Sequence, residues 1–155
     1  MALSAIGTVH MAAASLGLAT GITQLVRTHG DAFHRRLGYV YVGAMTISNG
    51  TALAIYEFTG AFNIFHALAL YNLFSIAMAL RPMLVKQRPY QWYRIHYMWM
   101  SFSYAGLSAA ALTEFLLRVV GMEGWMSAVA GTIPVMGIGT VLIFKFAPPL
   151  RAPQK

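Results

Sequence analysis

The chain has 155 residues, is 58% hydrophobic and 10% charged, and carries a net charge of +7. A soluble domain carries about 25% charged residues, so this composition excludes an ordinary soluble fold and indicates an integral membrane protein. The basic residues lie between apolar runs, which assigns them to membrane topology rather than nucleic acid, and the lack of cysteine excludes disulfides, thiolate metal sites, iron–sulfur clusters and covalent haem attachment.

Five apolar runs approach the roughly 20 residues needed to cross a bilayer. Each is expected to be a helix, because lipid offers no partners to free backbone groups. The first covers about residues 5–26 and contains His10. It lacks the basic start and cleavage site of a signal peptide, so it is expected to remain as a span. Its "GLATG" at 17–21 is a small-residue face that allows close helix contact. The second run covers about 33–58 and opens on His34, Arg35 and Arg36, leaving His29 in the loop before it. The third covers about 62–80, contains His66, and is expected to stop at Arg81-Pro82. The fourth starts in "RPYQW", where Pro89 suits a first turn, and ends near 120. "GMEGW" at 121–125 reads as a tight turn before the fifth run, about 125–146. Pro134 between Gly131 and Gly137 predicts a kink there. Residues 1–147 form one transmembrane domain, with 148–155 as a cytoplasmic tail.

Charge sets the expected orientation. Arg27, Arg35 and Arg36, then Arg81, Lys86, Arg88 and Arg94, then Lys145, Arg151 and Lys155 mark one side. Glu57, Glu114, Glu123 and one cation, Arg118, mark the other. The positive-inside rule puts the N-terminus outside and the C-terminus inside. Trp92 and Trp99 fit the inner aromatic belt and Trp125 the outer. The expected fold is an all-α, five-span protein whose first four helices form an antiparallel bundle. Asn49, Asn63 and Asn72 are expected to bond across helices.

At about 1.5 Å rise per residue, His10 and His66 fall in the outer half, His34 and His96 in the inner half. In a four-helix bundle the helices of each pair are diagonal, so each pair points across the centre. A haem fits between such histidines, one imidazole on each face. Arg35, Arg36 and Arg94 stand beside the inner pair, where guanidinium groups suit haem propionates, and Arg118 could serve an outer haem. The same arginines also read as topology anchors.

With His10, His34, His66 and His96 on successive helices, residues 5–120 resemble the two-haem transmembrane b-type cytochromes, the cytochrome b-561 and ferric reductase group. More locally, His34-Arg-x-x-Gly and His96-x-x-Trp-Met resemble a family of small bacterial multi-pass membrane proteins. The resemblance implies one or two bis-histidine haem b groups and electron transfer across the bacterial inner membrane or with quinone, as an oxidoreductase component. The outer loops are tighter than in those cytochromes, and no substrate site is recognisable.

Two other readings stay open. His10, His66 and Glu114 form a possible outer site for zinc, copper or iron, unless Glu114 pairs with Arg118 one turn on. Alternatively, the chain is a cofactor-free subunit of a larger respiratory or photosynthetic complex, or a homo-oligomer. The ten methionines are scattered and read as filler rather than copper ligands.

Overall fold

The computed structural model describes residues 4–27, 30–56, 60–85 and 91–149. His29, Glu57, Lys86, Arg88, Pro89, Arg151 and Lys155, and most of the expected tail, lie outside these residues. Among the described residues the structure is helical, with no strand: α1 (Ala5–Val26), α2 (Ala32–Ala54), α3 (Ile64–Leu84), α4 (Trp92–Phe115) with a π-helical end (Leu116–Val120), and α5 (Gly124–Phe146).

Among the described residues four stretches are long and apolar enough to cross a membrane: α1, α3, α4 with its π-helical end, and α5. The second expected span, α2, is not among them. Its 23 residues would measure about 34 Å at 1.5 Å each, so length is not its shortfall. Arg35 and Arg36 in its first turns, and Thr46, Ser48, Asn49 and Thr51 further on, dilute its apolar character.

The contacts divide the chain into two compact units, residues 1–73 and 74–155. In the first unit α1 and α2 form an antiparallel hairpin. Ser4 and Asp31 start these helices, their side-chain oxygens accepting the N–H of Gly7 and His34, which satisfies one free donor of each first turn. The hairpin closes on small groups: Ala13, Gly17, Thr20 and Gly21 are buried on α1, facing a helix that buries Ala44, Ser48 and Asn49 beside Tyr41 and Met45. The expected contact face at 17–21 is thus in use.

In the second unit α4 and α5 are likewise antiparallel. An added Cβ at Gly131 would lie 2.7 Å from the Thr113 nitrogen and 2.9 Å from its Cα, and one at Gly139 3.2 Å from the Ala105 Cβ. Only glycine lets the backbones approach this closely at residue 131. α5 runs unbroken through Pro134. The turn after α4 needs Gly121, whose φ of 78° is left-handed, and the Gly121 and Met122 N–H groups both return to the Leu116 carbonyl.

α3 does not stop at Arg81-Pro82 but continues to Leu84. Proline removes one helical donor, and so near the helix end that loss does not prevent two more residues from following. The hydroxyls of Thr20, Thr46, Thr51 and Ser108 each donate to a carbonyl of their own helix. Asn49 does the same toward Met45. The expected cross-helix bond of Asn49 is therefore replaced by one within its helix.

Candidate functional site

Three of the four layered histidines lie in the first unit. His10 on α1 reaches α2, with Nδ1 2.9 Å from the Ser48 carbonyl and 3.2 Å from the Thr51 hydroxyl. A carbonyl only accepts, so Nδ1 carries a proton, and in the neutral imidazole Nε2 then keeps its lone pair. That is the tautomer in which metal-binding histidines are usually held.

His34 stands in the first turn of α2. Its N–H donates to Asp31 Oδ1 at 2.8 Å, and its carbonyl accepts from Gln24 Nε2 at 2.8 Å. Gln24 thus ties the end of α1 to the start of α2. Asp31 also pairs with Arg27 at 3.0 Å, and Arg27 lies over the Phe33 ring. The His34 Nδ1 is buried and has no hydrogen-bond partner. Arg35 and Arg36 next to it are exposed.

His66 is 1% exposed. Asn63 precedes α3, and its Oδ1 accepts the Phe65 N–H at 3.0 Å. The Asn63 N–H donates in turn to His66 Nδ1 at 3.2 Å. This is a capping box with histidine in the place of the usual glutamate or glutamine. A neutral imidazole that accepts at Nδ1 carries its proton on Nε2. That Nε2 is buried without a partner. Two rings flank the imidazole, Tyr56 at 4.6 Å and Phe62 at 5.2 Å between centroids. Asn63 therefore caps its own helix.

In the second unit His96 on α4 places Nδ1 3.1 Å from the Ala79 carbonyl on α3, which selects the same tautomer as at His10. Arg94, expected beside a propionate, donates from Nη1 to the Pro148 carbonyl just beyond α5. Arg118 pairs with Glu114 on the same helix face, as one of the two sequence readings allowed. Trp125 is exposed and donates to Glu123 at 3.1 Å.

Among the described residues no three histidine, aspartate or glutamate side chains converge to hold a metal ion. Sequence reasoning missed the partners that orient the histidines: Ser48, Thr51, Gln24, Tyr56, Phe62, Asn63 and Ala79. Only the spacing Asn63-x-x-His66 carried a signal, that of the capping box.

The family described as "Predicted membrane protein (DUF2306)" matches residues 7–147. No curated protein and no solved structure matches the chain.

Proposed function

The chain belongs to this family of predicted membrane proteins, and on that footing we propose that it is a membrane-embedded electron carrier. In this reading it holds haem b in the bacterial inner membrane through histidines drawn from His10, His34 and His96. The N-terminus is outside and the C-terminus inside. The observation that carries the reading is the shared tautomer of His10 and His96, each with Nδ1 on a backbone carbonyl. Such a bond fixes the ring and raises the basicity of the other nitrogen toward a metal. His34 adds a buried nitrogen that lacks a partner, the kind of group that calls for a ligand or ion.

His66 does not fit an axial ligand as it is held, since its lone pair faces the Asn63 N–H. The residues that suit the group are thus fewer than the four first expected. Bound haem would supply one-electron redox chemistry. The protein's part is to hold the imidazoles, exclude water and present Arg35 and Arg36 to anionic propionates at the membrane edge. Arg94 and Arg118 already have partners.

The test is an absorption spectrum of the purified protein, oxidised and reduced. A reduced b-type alpha band is expected, weakened in His10→Ala, His34→Ala or His96→Ala. A colourless preparation from haem-replete cells would defeat the reading and favour a cofactor-free subunit of a larger complex. The His10 bonds to α2 would serve that second role equally well.

A further inference from the structure

We infer that His66 is a hydrogen-bond donor through Nε2, and that its acceptor is the carbonyl oxygen of a bilayer-soluble molecule. The inference needs the chain to lie in a membrane but does not rest on the haem reading. His66 closes the capping box of α3 by accepting the Asn63 N–H at Nδ1. Its one proton is then on Nε2, and this N–H is buried with no partner. A buried donor left unmade carries an uncompensated desolvation penalty, and native proteins rarely keep one without an unseen partner.

The surroundings select the acceptor. The rings of Tyr56 and Phe62 lie against the imidazole, 4.6 and 5.2 Å away between centroids. The Nε2–H lies in the ring plane, so an acceptor approaches along the ring edge, beside these two rings. An anion would lose its hydration there with no cation described beside it, which is costly, whereas a neutral carbonyl would not. Tyr56 and Phe62 are 46% and 61% exposed. They lie just outside α2 and α3, so part of each ring faces outward. Two bilayer components carry such a carbonyl, a quinone and the acyl ester of a phospholipid. Their shared chemistry is what His66 would recognise.

Nitrogen-15 NMR of histidine-labelled protein in nanodiscs tests this directly, because protonated and bare imidazole nitrogens resonate far apart. His66→Gln identifies the signal by its loss. Glutamine also keeps the capping-box acceptor and an N–H donor, so the fold is retained. Three nanodiscs are compared: ether-linked phosphatidylcholine, ester-linked phosphatidylcholine, and the ether-linked lipid with decylubiquinone. Nε2 should be protonated in all three. Its proton should move downfield on passing from the ether lipid to the ester lipid if a lipid ester is the acceptor. It should move on adding decylubiquinone if a quinone is. An identical proton shift in all three, as water or an empty site would give, overturns the inference. So does a bare or metal-bound Nε2.

Haem content gives an independent check. His66→Gln should retain the wild-type alpha band, and its loss would make His66 an iron ligand instead. A colourless wild-type protein would defeat the haem proposal and leave the His66 signal readable.

Discussion

Replacing Gly131 by alanine would put a methyl group against the backbone of α4. The new Cβ would lie 2.7 Å from the Thr113 nitrogen and 2.9 Å from its Cα, whereas carbon contacts settle near 3.5–4.0 Å. The two helices must then part by roughly 0.5–1 Å. Overpacking costs about 1–3 kcal/mol, and the upper end applies because the obstacle is backbone, which no rotamer change relieves. Alanine returns up to about 1 kcal/mol of helix propensity. The expected net loss is about 2 kcal/mol, or roughly thirtyfold in the folded-to-unfolded ratio. Gly139→Ala meets only the Ala105 Cβ at 3.2 Å, and Gly137→Ala meets nothing within 4 Å. The first should be close to neutral, and the second neutral or stabilising by up to about 1 kcal/mol. Unfolding by SDS in mixed micelles, followed by tryptophan fluorescence, measures all three. Equal stability of Gly131→Ala and wild type would refute the close approach of α4 and α5. An equal loss from Gly137→Ala would show that any alanine in α5 is harmful.

The absence of cysteine allows clean topology labelling with an impermeant maleimide. If α2 crosses the membrane with the other four helices, Ser4→Cys should react in intact cells and Pro149→Cys only after permeabilisation. Labelling of both, or of neither, would mean four spans. His10→Ala removes the bonds to Ser48 and Thr51 and should destabilise the protein by about 1–2 kcal/mol, measured in the same SDS titration. Gly121→Ala forces a side chain into a left-handed φ and should cost about 1–2 kcal/mol. A smaller effect there would mean that the turn has another conformation open to it.

Helix positions were readable where apolar length was the only requirement. α1 begins and ends where its apolar run does, and α5 matches within one residue of its start. α3 misled because proline is read as a stop, although near the end of a helix it removes only one bond. α2 is helical over most of the expected run, yet its hydroxyls, amide and two arginines left its status as a span undecided by hydropathy. The histidines were legible as a set, since four ionisable groups in apolar runs mark function by default. Their individual roles were not. His10 and His96 face carbonyls and His66 faces an N–H, and these opposite tautomers are set by backbone positions 38, 17 and 3 residues away. Only the last lies within one helical turn, where sequence spacing can report it.

The hydroxyls of Thr20, Thr46, Thr51 and Ser108, each bonded to its own helix, bear on biogenesis. A span whose polar groups are satisfied internally can leave the translocon and enter lipid alone, before any neighbour arrives. The bond from His10 to Ser48 is different, because its acceptor is made 38 residues later. Until α2 emerges, the His10 N–H has no α2 carbonyl to meet, so α1 waits at the membrane with an incomplete polar contact. Its bonding would then report that the first hairpin has assembled. Arrested nascent chains that hold residues 48–51 inside the ribosome, or expose all of α2 beyond it, would carry this record in the accessibility of His10 to a histidine-modifying reagent, high in the shorter chain and low in the longer.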